Sequence, residues 1–217
     1  MFLDKNKNKK KGVFDWIAPV YGLFYNYQKM HYKAVIDEAQ DELNFSAYKN
    51  IIDVGCGTGA LCSVFNQRGV VVTGVDPVQR MLSIAAKKQE NKAIEFIQAS
   101  VLEKMPFEDK SFDVSIASYV AHGLKEYERK VMYVEMSRIT KYLVIIYDYN
   151  KKRSILTSIV EWLEGGDYFN FIKKAKSEMK ENFRDIRVVD VGLRAAWYIC
   201  SPWDISKLRK IASERDH

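Results

Sequence analysis

A glycine-rich loop carries the clearest chemistry in the sequence. An apolar run over residues 51–54 leads into a helical pattern through three glycines at alternating positions, Gly55, Gly57 and Gly59. Glycines allow a sharp turn and a close approach of the backbone to a ligand, and a helix start offers unpaired N–H groups. The next apolar run ends at Asp76, nineteen residues past Gly57, where a carboxylate can accept hydrogen bonds from ribose hydroxyls. The spacing therefore predicts a nucleoside-binding site.

The charges around the loop indicate which nucleoside it binds. Residues 55–60 satisfy the relaxed G-x-G-x-x-A pattern, so an NAD(P)-dependent oxidoreductase is an open alternative. Asp53 lies two residues before the first glycine, where its carboxylate would repel a pyrophosphate and attract a cation. A chain of 217 residues is also short for a second mononucleotide-binding half and a separate catalytic domain. S-adenosylmethionine, which carries an ammonium and a sulfonium charge, fits these features better, and S-adenosylhomocysteine would be its product.

The loop needs a parallel sheet to position it, and the hydropathy pattern predicts one. Runs typical of buried strands alternate with helical patterns, and they lie at residues 51–54, 70–75, 94–97, 112–117 and 142–147. Helical spacing of apolar residues marks residues 60–68, 78–88 and 125–139. Residues 187–193 and 195–200 predict two strands too close for a crossover helix, so this last pair should be antiparallel. The predicted class is α/β, with a Rossmann-like, doubly wound, mostly parallel seven-stranded sheet and an antiparallel last strand.

Further helical regions lie outside that alternation. Residues 13–43 predict N-terminal helices, and residues 151–183 predict a helical insert that caps the site. A short terminal helix is expected after Pro202, which fits the first position of a helix. We expect one domain over residues 13–217, preceded by a flexible basic leader over residues 1–12.

Composition excludes several classes of protein. With 47% hydrophobic and 29% charged residues, the chain can bury a core. The formal net charge of +6 suggests nucleic acid, but the leader holds five lysines against one aspartate and accounts for most of the excess. Three cysteines without CxxC spacing and three widely separated histidines predict neither disulfides nor a metal site. No run reaches the roughly 18 apolar residues of a membrane span, and a cytoplasmic protein is expected.

Two further segments carry a family resemblance. Residues 105–113 read Met-Pro-Phe-Glu-Asp-Lys-Ser-Phe-Asp, and residues 13–21 read Val-Phe-Asp-Trp-Ile-Ala-Pro-Val-Tyr. Together with the glycine loop they resemble the class I S-adenosylmethionine-dependent methyltransferases, in the small-molecule branch that includes the ubiquinone and menaquinone methyltransferases. The resemblance runs roughly from residue 13 to residue 149. It implies an enzyme that transfers a methyl group to a small organic acceptor.

The resemblance also implies which residues bind the cofactor. The backbone of Gly55, Cys56 and Gly57 would contact the methionine moiety. Asp53 would help to place the ammonium group, and Asp76 would bind the ribose. Further cofactor contacts, of which the first two would pack near the adenine, are expected at Pro77, Met81, Ser100, Val101 and Ser118. The family usually has an aspartate where Ser100 stands, and its absence supports a second alternative, a non-catalytic S-adenosylmethionine-binding protein.

The methyl acceptor should bind beyond the carboxyl end of the fourth strand. That stretch, residues 117–123, lacks the Asn-Pro-Pro-Tyr and Pro-Cys arrangements that similar enzymes use on nucleic-acid bases, so a small-molecule partner is favoured over nucleic acid. His122 could act as a catalytic base or could simply pack the loop. Asp148, at the end of the fifth strand, is a weaker candidate. Aromatic residues expected in the acceptor pocket are Tyr21, Tyr25, Tyr119 and Trp162.

Overall fold

The computed structural model describes residues 24–150, 167–192 and 194–204. The chain divides into two compact units, Met1–Ser100 and Val101–His217. Several predicted features lie outside the described residues: the leader, the first part of the N-terminal helices, the first helix of the insert and the terminal helix. None of the described helices is both long enough and apolar enough to cross a membrane.

The first unit contains three parallel strands connected by helices. The strands, adjacent in the order β3-β2-β1, are β1 (Asn50–Val54), β2 (Val71–Asp76) and β3 (Glu95–Gln98). The described part of helix α1 spans residues 24–38, and the helices that follow are α2 (Ala60–Asn66) and α3 (Gln79–Ala86). The last four residues of β1 and the last five of β2 are buried, which explains why these strands read as continuous runs rather than as alternating patterns.

The second unit contains four strands and two described helices. The strands, adjacent in the order β4-β5-β7-β6, are β4 (Phe112–Ser118), β5 (Thr140–Tyr149), β6 (Asp185–Val191) and β7 (Ala195–Ser201). The helices are α4 (Glu126–Ile139) and α5 (Tyr168–Asn182). Strand β4 is parallel to β5, whereas β7 is antiparallel to both β5 and β6. The predicted antiparallel pair and the predicted mostly parallel seven-stranded α/β fold are therefore confirmed.

Strand β5 is longer than its apolar run predicts. It begins at Thr140, directly after the last residue of α4, whereas the apolar pattern begins at residue 142. The Thr140 hydroxyl is buried, with the carbonyl of Met136 2.6 Å away and the hydroxyl of Ser115 2.8 Å away. These hydrogen bonds allow the polar Thr140 side chain to be buried, although a prediction from hydropathy alone would leave it outside the strand.

A buried ion pair joins α4 to α5. The Arg129 side chain is fully buried, and its Nε and Nη2 atoms each donate to the Glu178 carboxylate at 2.7 Å. Its Nη1 atom donates to the Asp167 carboxylate at 3.0 Å and to the Leu124 carbonyl at 2.6 Å. The two parallel bonds to Glu178 use the planar fork of the guanidinium, which is the geometry that makes a buried charge tolerable.

Replacing Arg129 with methionine should destabilise the protein by about 3–5 kcal/mol, because the buried Glu178 carboxylate would lose its cation. Urea unfolding at constant salt measures this change in the free energy of unfolding. The matched control is Lys174→Met, which removes an exposed ion pair with Glu126 between the same two helices. Because water screens that pair, the control should unfold almost like the parent protein, and similar losses in the two variants would contradict the assignment.

Candidate functional site

The glycine loop connects β1 to α2 in the first unit. Positive φ angles occur at Gly55 (75°), Gly57 (53°) and Gly59 (77°), in the left-handed region that favours glycine. The N–H groups of Gly55 and Cys56 donate to the Val75 carbonyl at 2.8 and 2.9 Å. The loop is therefore held against the carboxyl end of β2.

Two of the loop glycines differ in how much space surrounds them. A Cβ atom on Gly59 would lie 2.9 Å from Cζ of Phe96 and 3.0 Å from Nδ2 of Asn91, so close packing excludes a side chain there. A Cβ atom on Gly57 would meet nothing within 4 Å. Gly57 therefore marks an open face of the loop, where a ligand can approach the backbone.

Asp76 is the last residue of β2, and both of its carboxylate oxygens accept hydrogen bonds. Oδ2 accepts from the N–H of Gly57 at 2.9 Å, and Oδ1 accepts from the N–H of Val78 at 2.8 Å. Burial raises the pKa of Asp76, and the two backbone donors lower it in part. Because each carboxylate oxygen can accept more than one hydrogen bond, Asp76 can hold the loop and still accept from ligand hydroxyls.

Asp53 is almost completely buried, whereas the predicted contact with an ammonium group would need an exposed carboxylate oxygen. Only 1% of the residue is exposed, its Oδ2 atom accepts from the Cys62 thiol at 3.2 Å, and its Oδ1 atom has no partner among the described residues. Burial raises the pKa of Asp53 to about 7; the Cys62 thiol lowers it, and the charge of Asp76 raises it. The carboxylate of Asp53 therefore has no exposed edge that a ligand could contact directly.

The other predicted cofactor residues divide between the two units. In the first unit Pro77 is exposed directly after β2, and Met81 is buried against Val78. Burial raises the pKa of the Cys56 thiol to about 11, so the sulfur is not a reactive thiolate at neutral pH. Ser100 ends the first unit, and the second unit contains Val101, which is buried, and Ser118, the last residue of β4.

Gln98 is a candidate site residue that the sequence analysis did not name. It ends β3, and its Nε2 atom donates to the Pro77 carbonyl at 3.0 Å. The sequence did indicate this position, because Gln98 directly follows the apolar run of β3, and β3 pairs with the strand that ends at Asp76. The long amide side chain thereby reaches the segment that follows β2.

A second cluster lies at the carboxyl ends of β4 and β5 in the second unit. After β4 ends, Tyr119 adopts a φ of 55°, and a 3₁₀ turn follows over Ala121–Gly123. The His122 ring atom Nδ1 lies 2.8 Å from Oδ1 of Asp148, and the His122 N–H donates to Oδ2 of the same carboxylate at 3.2 Å. The structure thus joins the predicted base to the residue that the sequence ranked as a weaker candidate.

Aromatic rings surround this histidine. Ring centroids lie 4.9 Å apart for His122 and Tyr149, and 6.4 Å apart for His122 and Tyr119. Tyr168, at the start of α5, lies 5.1 Å from Tyr149 between ring centroids. The Tyr119 hydroxyl donates to that of Tyr147 at 3.3 Å. The cluster therefore includes the predicted Tyr119 and also Tyr149, and Tyr168 of the predicted cap joins it through Tyr149.

Tyr25 contradicts its predicted place in an acceptor pocket. The side chain is 1% exposed, its hydroxyl donates to Oδ1 of Asn91 at 3.3 Å, and Nζ of Lys88 lies 4.4 Å from its ring centroid. Asn91 precedes β3, so these contacts lie toward the amino end of that strand, whereas Asp76 is at the carboxyl end of its neighbour. Tyr25 packs α1 onto the first unit. Tyr21 and Trp162 lie outside the described residues.

Asp53→Asn should change how stability depends on pH. The pKa of Asp53 is about 7 in the folded protein and near 3.8 when unfolded, so the folded state holds the proton more tightly. Stability from this group is fully present below the unfolded pKa and is lost as the pH rises through about 7. The wild type should therefore lose stability relative to Asp53→Asn between about pH 4 and 7 in chemical unfolding. Asp41→Asn, at an exposed position, is the control, and parallel curves for wild type and Asp53→Asn would refute the assignment.

Comparison with known proteins finds similarity to methyltransferases. Residues 52–145 match the family model described as a methyltransferase domain. The chain is 35% identical over 138 residues to a demethylmenaquinone methyltransferase of Chlorobaculum tepidum, covering 58% of this chain and 56% of the relative. It is 24% identical over 189 residues to a ubiquinone biosynthesis O-methyltransferase of Rickettsia bellii, covering 82% and 74%.

Solved structures show the same fold. A putative S-adenosylmethionine-dependent methyltransferase from Methanococcus maripaludis superimposes with a TM-score of 0.66 at 19% identity, covering 88% of this chain and 94% of that one. The chain spans only 56% of the length of the Chlorobaculum tepidum relative. The matched region is a methyltransferase domain, the relatives are methyltransferases and the fold is that of a solved S-adenosylmethionine-dependent methyltransferase, so this chain is similar to small-molecule methyltransferases.

Proposed function

We propose that this protein transfers the methyl group of S-adenosylmethionine to a small organic acceptor and releases S-adenosylhomocysteine. The observation that carries the proposal is the Asp76 carboxylate, held by two backbone N–H groups beside the open face of Gly57. The names of the relatives, a demethylmenaquinone and a ubiquinone biosynthesis methyltransferase, support an organic acceptor. The three described cysteines are buried free thiols, which supports a reducing cytoplasm as the place of action.

The residues of the first unit suit S-adenosylmethionine in shape and in charge. The space beside Gly57 admits a ligand to the loop backbone, and Asp76 can accept from two ribose hydroxyls. The orphan oxygen of Asp53 adds a negative field that suits an ammonium group. Pro77 and Met81 offer apolar surface for a base, and Gln98 adds an amide at the same strand ends. The roles of Ser100, Val101 and Ser118 follow from the family resemblance.

The cofactor, when bound, supplies an activated methyl group on a sulfonium. The protein therefore has to bind and orient the cofactor and the acceptor and to keep water away from them. Positioning can supply most of the acceleration of such a displacement. Asp76 would hold the ribose at the end of β2, and the open backbone face at Gly57 would contact the methionine moiety. Rigid attachment of the loop to β2 through Val75 keeps these two positions fixed.

Ligand binding tests the proposal directly. At 100 times their dissociation constants, S-adenosylmethionine and S-adenosylhomocysteine should each stabilise the protein by about 2.7 kcal/mol in thermal unfolding. Asp76→Ala should weaken binding at least tenfold, because charge-assisted hydrogen bonds to the ribose are lost. The affinity of Asp76→Asn, which keeps one acceptor oxygen, should lie between those of wild type and Asp76→Ala. Glu95→Ala, at the exposed start of the neighbouring strand, should bind like wild type.

Three outcomes separate the alternatives. No stabilisation by either adenosyl compound would refute the proposal. Stabilisation by NAD(H) in their place would favour an oxidoreductase, which the carboxylate of Asp53 argues against. Binding without release of S-adenosylhomocysteine across a broad set of acceptors would favour a non-catalytic S-adenosylmethionine-binding protein.

A further inference from the structure

The outward surface of helix α5 has two edges that differ in charge. The inner face of the helix is buried, and the ion pair of Arg129 with Glu178 fixes it on α4. On one outer edge Lys174 pairs with Glu126 of α4 at 3.0 Å, and Glu181 follows two turns later on the same edge. Within the described helix, the other edge contains no carboxylate. Its members, at spacings of four, three and four, are Phe169, Lys173, Lys176 and Lys180.

These four residues form a surface that we call the lysine stripe. All four are exposed, and Phe169 at its start is 40% exposed. At 1.5 Å and 100° per residue, the stripe runs about 16 Å along the helix and covers roughly 60° of its circumference. It is therefore a narrow row of positive charge that begins with an exposed aromatic ring.

The lysines of the stripe are not neutralised by their neighbours. None of the three has an ion-pair partner among the residues that the structure describes, whereas Lys174 on the other edge has one. Like charges three and four residues apart repel each other and weaken a helix. A helix face that is merely solvated typically alternates the two signs of charge. The stripe therefore opposes the stability of its own helix, as a surface for an anionic partner would.

The residue types favour a lipid surface over a nucleic acid or an acidic protein. Lysine carries a compact charge on a flexible stem, and it lacks the planar fork with which arginine recognises single phosphates, bases and carboxylates. Such a side chain suits a diffuse layer of negative charge. An exposed aromatic ring in line with lysines is also the combination by which helices bind at the interface of anionic membranes.

We propose that the lysine stripe docks the protein on a lipid surface rich in anionic headgroups. The three ammonium groups contact the headgroups, and the ring of Phe169 enters the boundary between headgroups and acyl chains. Each lysine near such a surface strengthens binding by a factor of about five, so the three together account for roughly 100-fold. The docking uses residues outside the proposed cofactor site and does not depend on methyl transfer.

Co-sedimentation with vesicles of phosphatidylglycerol and phosphatidylcholine, in a ratio of about 3 to 7, tests the docking. At about 0.1 M NaCl, a variant that combines Lys173→Gln, Lys176→Gln and Lys180→Gln should bind roughly 100-fold more weakly than wild type. Wild-type binding should fall at least tenfold at about 0.5 M NaCl, because salt screens the lysines. Vesicles of phosphatidylcholine alone should not bind the wild type.

The matched control removes the same net charge from exposed positions of the first unit, through Lys33→Gln, Lys87→Gln and Lys92→Gln together. This control should weaken vesicle binding by less than about fivefold, since its lysines lie outside the stripe. Equal losses in the two triple variants would show that only the net charge matters and would overturn the assignment to α5. Wild-type protein that does not bind the anionic vesicles would overturn it as well.

The aromatic end of the stripe has its own test. Phe169→Ser should weaken binding to the anionic vesicles by about tenfold, because its ring no longer enters the interface. Tyr127→Ser, which removes a ring that is 57% exposed on α4, is the control and should bind like wild type. Equal effects of the two substitutions would contradict the proposed orientation of α5.

Soluble polyanions separate lipid docking from the other classes of partner. Tighter binding of double-stranded DNA or of polyglutamate than of the vesicles, lost in the stripe variant, would assign the edge to a nucleic acid or an acidic protein and overturn lipid docking. Calorimetry keeps this proposal apart from methyl transfer: both triple variants should bind S-adenosylhomocysteine like wild type. Failure of the wild type to bind that compound would refute methyl transfer and leave the vesicle result standing.

Discussion

The first unit depends on one pair of charge-assisted hydrogen bonds, from the N–H groups of Gly57 and Val78 to the carboxylate of Asp76. They join the glycine loop, the end of β2 and the start of α3 through a single side chain. Without that acceptor, two N–H groups near the strand ends would lack their partner, and the open face of Gly57 would lose its support. In the proposed function the same oxygens bind the ribose, so one carboxylate would both shape the loop and hold the ligand.

The buried carboxylates at the strand ends differ in how they are compensated. Asp76 has two backbone donors, Asp148 has a histidine ring and two backbone donors, and Asp53 has only a thiol. Asp53 has the fewest hydrogen-bond donors of the three among the described residues, and burial raises its pKa to about 7. Full compensation produces rigid geometry, whereas incomplete compensation leaves a field that a cationic ligand can satisfy. The carboxyl groups at these strand ends are thus buried, although the whole chain carries a net charge of +6.

In the second unit, rigidity and strain occur together. Arg129 and Glu178 fix α5 on α4, and α5 in turn supplies Tyr168 to the aromatic cluster around His122. A well-anchored frame of this kind can hold Tyr119 in its strained conformation. The histidine is therefore placed by packing that lies outside the turn to which it belongs.

The α/β class, the approximate strand positions, the glycine loop and the acid at the end of β2 could all be predicted from the sequence. These features depend on local spacing, which hydrophobic periodicity and the φ preference of glycine encode directly. Contacts between distant residues could not be predicted, because they depend on how the chain folds back on itself: His122 and Asp148 are 26 residues apart, and Tyr25 and Asn91 are 66 apart. Periodicity shows that a residue faces inward, but strand order and helix packing decide what it faces. For that reason the structure shows Tyr25 as a packing residue of α1 and Asp148 as the hydrogen-bond partner of His122.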